Sequence, residues 1–269
     1  MIRLLPLLAL ALLGCGEGAR GPVEAPGPTI VSLNPCTDAI LAEVAAPGQL
    51  LAISHYSKDP SSSSMTPQDA ARYRATGGTV EEVLALDPDV VVASTFLAPA
   101  TRAALEDLGL RVVTFGGTAK VEDSLAQMRE LAALAGDPTA GERLVEEIET
   151  ALAEAKGQGE PVEAALWQPG GIVPGEASLV SDLLRRTGFS SYSAARGMAQ
   201  ADYLSLEQVV ADPPQVLFVA GSESGQRHPV LAEVEGMQQE SFDTRLLYCG
   251  GPTILRAVRY LQSVRERVS

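Results

Sequence analysis

One phrase occurs twice in this chain, and it constrains the fold more than any other feature. Residues 79–92 read Thr-Val-Glu-Glu-Val-Leu-Ala-Leu-Asp-Pro-Asp-Val-Val-Val, and residues 205–218 read Ser-Leu-Glu-Gln-Val-Val-Ala-Asp-Pro-Pro-Gln-Val-Leu-Phe. The two align without a gap. Glu81/Glu207, Val83/Val209, Ala85/Ala211, Pro88/Pro214 and Val90/Val216 are identical pairs, and Thr79 and Ser205 are like-for-like hydroxyls. Each hydroxyl stands where a helix N-cap belongs, with Glu82 or Gln208 placed to complete a capping box. A helix of about two turns follows and proline stops it. The β-branched run after the proline is the pattern of a buried parallel strand. A chain that carries one helix–strand unit twice is expected to fold as two similar halves.

The remaining segments follow the same grammar. Strands are predicted at 29–33, 49–54, 111–115, 162–167 and 216–220, and helices at 37–45, 100–108, 178–186 and 252–267. Strands and helices alternating at these lengths argue for α/β units with parallel sheets. Between the halves, residues 121–157 carry helical periodicity and no strand signal. Gly136 stops a first helix, and Asp137-Pro138 supplies an N-cap and a first-turn proline for a second, bridging helix over 138–156. Leu144, Ile148, Ala151, Leu152 and Ala155 form its apolar stripe. The expected organisation is an N-terminal lobe over 29–120, this helical segment, and a C-terminal lobe over 158–269.

The first residues bear on location. Arg3 precedes an apolar run, Leu4 to Leu13, too short to cross a bilayer, and the run ends Leu12-Leu13-Gly14-Cys15. That ending resembles the lipobox of bacterial lipoproteins, which implies a signal peptide over 1–14 and lipidation of Cys15. An ordinary export signal or a buried N-terminal helix is the plainer alternative. Residues 15–28, rich in Gly, Pro and Ala, read as a flexible tether. The expectation is an exported protein, anchored by lipid to a bacterial membrane on its periplasmic or cell-surface side. With Cys15 so assigned, Cys36 and Cys249 remain of three cysteines. In an oxidising compartment they form a disulfide, or else they are separate buried thiols or soft ligands facing a cleft.

Charge and motif content remove whole classes of function. Twenty basic side chains stand against 34 acidic ones, a formal charge of −14, with no Lys/Arg cluster, so nucleic acid is not an expected partner. No nucleophile-elbow, dinucleotide, P-loop or paired-His zinc motif is present, and two histidines leave few candidates for a general base. The chain does not read as an enzyme. A transition-metal-ion site would want three or four converging His, Asp or Glu ligands, and two histidines argue against one.

The duplicated phrase and the strand–turn Ser32-Leu33-Asn34-Pro35 with Thr37-Asp38 together resemble the periplasmic binding proteins of ABC importers for cobalamin, haem and ferric siderophores. The resemblance covers nearly the whole mature chain. It implies two Rossmann-like α/β lobes with mainly parallel sheets, bridged by one long helix, with the ligand in the cleft between them. The implied function is capture, by a monomer without cofactor, of a metal chelate, either a cobalamin-like corrinoid or a ferric siderophore. Delivery would be to an ABC permease, whose Arg pockets would receive Glu81 and Glu207. The plainer role for each Glu is to complement a helix dipole. The alternatives are a haem- or metal-binding protein of the same fold, or a tethered adaptor without a small ligand.

Ligand sites of open α/β sheets lie at the carboxyl ends of strands, which singles out Asn34 and Pro35 after the first strand. His55 and Tyr56 follow the second strand, in a loop similar to one in a cobalamin-binding relative. Phe96 follows the strand at 90–93, and Trp167 ends the first strand of the second half. Each aromatic either faces the cleft or packs in the core. His55 either ligates the metal or makes hydrogen bonds only. Arg102, Arg196 and Arg227 either pair with an anionic siderophore or lie in solvent. Cys249-Gly250-Gly251-Pro252 offers free N–H groups to an anion or is simply a tight turn. Aromatic residues make up only 4% of the chain, and Ala75 and Ser94 stand where cobalamin binders place tryptophans, which keeps smaller chelates in play. The serine run 61–64 reads as a solvated loop at the cleft rim.

Overall fold

A computed structural model describes residues 27–157, 159–247 and 249–268; the signal segment, Cys15 and most of the tether lie outside them. The first half runs β1 (Ile30–Ser32), α1 (Pro35–Val44), β2 (Leu50–Ser54), α2 (Pro67–Ala71), β3 (Ala75–Thr76), α3 (Val80–Leu84), β4 (Val90–Ser94), α4 (Pro99–Asp107) and β5 (Arg111–Phe115). Helices α5 (Val121–Ala135) and α6 (Pro138–Glu154) follow. The second half runs β6 (Val162–Trp167), β7 (Ile172–Val173), α7 (Leu179–Arg186), β8 (Phe189–Ser191), α8 (Tyr192–Ala195) and β9 (Asp202–Tyr203). It ends with α9 (Leu206–Ala211), β10 (Val216–Val219), β11 (Gln238–Ser241) and α10 (Thr253–Arg267).

The duplicated phrase becomes α3–β4 in one half and α9–β10 in the other, and the equivalence extends to the sheets around it. The first sheet is ordered β3-β2-β1-β4-β5 and the second β11-β10-β6-β8, all parallel. Read from the opposite edge, the second order β8-β6-β10-β11 repeats β2-β1-β4-β5. The register repeats too: Val90 and Val91 pair with Ile30 and Val31, as Val216 and Leu217 pair with Ala164 and Ala165. The facing of side chains is preserved as well. Val83 and Val91 pack in a cluster on the outer face of the first sheet, and Val209 and Leu217 in its counterpart on the second. Val90, Val92, Val216 and Phe218 point the other way, into one shared inner core.

That inner core is what joins the halves. Met128 and Leu131 of α5, Val145 and Ile148 of α6, and Val258 and Leu261 of α10 fill the space between the two sheets' inner faces. Helix α6 starts where the sequence places it, with the Asp137 side chain accepting from the Ala140 N–H at 2.9 Å. Gly141 lets it approach α5 closely, since a Cβ there would meet Ala132 Cβ at 2.5 Å. Among the described residues no helix is long and apolar enough to cross a membrane.

Two local expectations are corrected. The Ser205/Gln208 capping box is complete, but the Glu82 carboxylate reaches past its own N-cap to the Gly77 N–H at 2.6 Å and Thr76 Oγ1 at 2.8 Å. A glutamate is long enough to close the preceding turn, and those bonds hold its carboxyl below the usual range. The serine run is solvated only in its first half: Ser61 is exposed, while Ser63 and Ser64 are buried and the Ser64 carbonyl accepts from Arg256 of α10.

Candidate functional site

The helices that follow parallel strands begin at the strands' carboxyl ends, and here the carboxyl ends of both sheets converge. Between them lies a cavity of about 330 Å³. One wall comes from the first half: Cys36 after β1 and the loop 116–119 after β5. The other comes from the second half: Gln168 after β6, then Pro174 and Ala177 to Val180 leading into α7. The segment before α10, with Cys249 and Gly250, completes the wall.

Small and neutral polar side chains line this space. Gln127 donates to the Gly116 carbonyl at 3.0 Å, and Gln200 accepts from the Gly175 N–H at 3.0 Å. Each amide so anchored keeps hydrogen-bonding capacity to spare. Gln168, in the second wall, makes no side-chain hydrogen bond among the described residues. The first turns of α1 and α7 adjoin the cavity, and α5 and α10 begin just beyond it, so positive helix ends face it. Part of that field is already used. Asn34 Oδ1 accepts from the Cys36 N–H at 3.0 Å, and Asp182 Oδ2 from the Val121 N–H at 3.0 Å. The arrangement can hold the polar edge of an organic ligand through amides, hydroxyls and backbone N–H groups. Among the described residues no group of three or more His, Cys, Asp or Glu is placed to hold a metal ion.

Cys36 and Cys249 form a disulfide in the wall of this cavity, with Cα atoms 5.1 Å apart. Two residues along α1, Asp38 is fully buried. Its Oδ2 accepts from the Ser54 N–H at 2.9 Å and from Ser57 Oγ at 2.6 Å, while Oδ1 has no partner. Burial pushes its carboxyl up to about 7, against the opposing pull of these hydrogen bonds. Asp38 thereby ties α1 to the short 3-10 helix His55–Lys58.

The ligand-contact candidates from sequence are dispersed by comparison. Asn34 and Pro35 are the N-cap and first residue of α1, and the cavity is lined by the next residue, Cys36. His55 and Tyr56 stand exposed on the 3-10 helix at the carboxyl end of β2, with ring centroids 4.0 Å apart. Phe96, 90% exposed, follows the carboxyl end of β4. Trp167 is corrected: it is 3% exposed, packs in the outer cluster of the second sheet, and donates Nε1–H to the Leu204 carbonyl at 2.8 Å. Strand alternation points it away from the inner face, and a buried indole N–H needs an acceptor. Of the arginines, Arg102 pairs with Glu106, and Arg196 pairs with Glu163 and Asp212 while stacking 3.4 Å over the Tyr192 ring. Arg227 is exposed on a 3-10 helix, and His228 caps the next one by accepting from the Val230 N–H at 3.2 Å.

Glu81 and Glu207 occupy the same second position of α3 and α9, and both are exposed. These helices run back from the carboxyl edge of each sheet, so each Glu lies at the edge that borders the cleft. The Glu207 backbone N–H and the Ser205 hydroxyl hold the Glu207 carboxyl below its ordinary range. The lining residues Gly116 to Ala119, Gln168, Pro174 and Ala177 to Val180 carry no reactive group and escaped the sequence reading. Their only signal is Gly and Pro density directly after strands.

A family model described as periplasmic binding protein matches residues 30–243. No curated protein sequence matches the chain. Among solved structures, the periplasmic haem-binding protein RhuT from Roseiflexus sp. RS-1 superposes with a TM-score of 0.70 at 20% identity, over 90% of this chain and 99% of that one. The haem-binding protein HutB of Vibrio cholerae gives 0.71 at 16% identity, over 88% and 98%. The vitamin B12-binding protein BtuF of Vibrio cholerae gives 0.65 at 20% identity, over 89% and 97%.

Proposed function

The chain belongs to the periplasmic binding protein family, and from that premise we propose that it captures a metal chelate in the inter-lobe cavity and hands it to an ABC permease. The observation that carries this reading is a cavity walled jointly by the carboxyl edges of two duplicated lobes. Its volume, about 330 Å³, lies at the small end of ligand pockets. A corrinoid, haem or ferric siderophore would therefore seat one polar edge among the amides and helix ends. The remainder would extend past the rim, where Tyr56 and Phe96 offer exposed rings. The chemistry is recognition of the chelate's organic shell, with no bond made or broken.

Two further parts of the proposal concern the membrane. The twin exposed carboxylates of Glu81 and Glu207 suit bidentate Arg contacts on a permease, one from each lobe. Their gapless duplication supports that role over dipole complementation alone. Cys15 would carry the lipid that holds the exported protein at the bacterial membrane, leaving the tether to span the gap.

Trp167 is the only tryptophan and directly precedes Gln168 of the cavity wall. Its emission reports ligands that absorb in its range. Titration with cyanocobalamin, haem, ferric desferrioxamine and a ferric tricatecholate is expected to give saturable quenching with at least one. Failure of all four, with melting unchanged by each, overturns the proposal.

A further inference from the structure

The two walls of the cleft are joined by a covalent bond. Cys36 stands in the first turn of α1, directly after β1 of the first sheet, and Cys249 stands between β11 of the second sheet and α10. The disulfide spans a sequence separation of 213, and both cysteines line the cavity.

The turn that carries Cys249 is fitted between α1 and α5 with no room to spare. Gly251, at φ 64°, donates its N–H to Ser124 Oγ of α5 at 2.7 Å. A Cβ on Gly251 would meet Ile40 Cγ1 of α1 at 2.6 Å, and one on Gly250 would collide with the Ser124 side chain. Elsewhere around the cavity, α5 and α7 meet through polar contacts. Asp182 accepts from the Val121 N–H, and Arg186 pairs with Glu122 at 2.5 Å. The Arg186–Glu122 pair is solvent-exposed, which makes it a weak tie between the walls. The disulfide is therefore the one covalent tie, among the described residues, between the wall formed by α1 and the segment that enters α10.

We propose that the Cys36–Cys249 disulfide is a positioning element of the ligand site. Oxidised, it presets the separation of the cavity walls; reduced, it lets them move apart and weakens capture. The proposal rests on the reading of this cavity as the chelate site. Its physical basis is preorganisation: a ligand that must first select a minor, correctly spaced population binds more weakly by that population's fraction. Reduction by dithiothreitol transfers two electrons and two protons, leaving two protein thiols and the reagent as its cyclic disulfide.

The test compares oxidised protein, dithiothreitol-reduced protein and the double variant Cys36→Ser/Cys249→Ser, all below their melting transitions. The affinity for whichever of cyanocobalamin, haem, ferric desferrioxamine and ferric tricatecholate binds the oxidised protein is expected to fall about tenfold or more in both other forms. Amide exchange at 116–119 and 174–180 in the ligand-free protein is expected to accelerate in parallel. If the cross-link merely stabilises the fold, its removal lowers the melting temperature and leaves both readouts unchanged, and that result overturns the proposal. If the oxidised protein binds none of the four probes, the chelate reading fails, and the ligand-free exchange rates alone decide what the disulfide does to the walls.

Discussion

Replacing Asp38 with asparagine removes a carboxyl whose titration the fold displaces into the physiological range. Asp38 is fully buried, and its affinity for a proton rises from 3.8 to about 7. Between those limits the native carboxyl keeps a proton that the unfolded chain has released. The unfolded state therefore binds fewer protons, and stability falls as pH rises through the window, levelling off above about pH 7. At about 1.4 kcal/mol per tenfold change in proton affinity, the full displacement is worth about 4 kcal/mol, of which about 2–3 kcal/mol falls between pH 5 and pH 8. The carboxamide introduced by Asp38→Asn cannot titrate, yet its oxygen can still accept from the Ser54 N–H and Ser57 Oγ. The assay is urea unfolding of both proteins at pH 5 and pH 8. The variant is expected to gain about 2–3 kcal/mol relative to wild type on going from the lower to the higher pH. Parallel pH dependences in the two proteins would refute the reasoning, because they would show that Asp38 does not carry the displaced proton.

Other consequences follow from the same geometry. The double charge reversal Glu81→Arg/Glu207→Arg is expected to abolish uptake in cells while leaving chelate affinity within about twofold, since both side chains are exposed on outer helices; unimpaired uptake removes the docking role. Gly251→Ala places a Cβ at positive φ against Ile40 and is expected to cost about 2–4 kcal/mol in denaturant unfolding. Trp167→Phe leaves the Leu204 carbonyl without its donor. It is expected to cost about 1–3 kcal/mol of stability with chelate affinity by calorimetry unchanged; a tenfold loss of affinity would return Trp167 to the ligand contacts.

Much of the fold is legible in the sequence because it is stated twice. The α3–β4 and α9–β10 units declare themselves through caps, prolines and β-branched runs, and the parallel register between them and their neighbours follows. Strand β11 was not legible, since Gln238–Ser241 reads Gln-Gln-Glu-Ser and joins the sheet edge beside the buried β10. A ladder built from backbone groups leaves no hydrophobic pattern to find. The site was less legible than the fold for a related reason. Trp167, the most conspicuous aromatic, is drawn into the core by strand alternation and by its need for an acceptor. The residues that do wall the cavity are mostly Gly, Ala, Ser, Thr and Gln, whose side chains carry no distinctive chemistry. Cys36 was within reach of sequence reasoning as half of a pair, but the Cβ separation that a disulfide needs is set by two lobes meeting, which no local pattern encodes.

The central claim is that one ligand is gripped by both lobes at once. A crystal structure of the protein with the tightest-binding chelate tests it most directly. The ligand is expected between the loop 116–119 and the opposing Gln168 and 174–180 segment, touching both. Density confined to one lobe, or seated in the separate cavity of about 250 Å³ between α1, α6 and α10, would contradict the account.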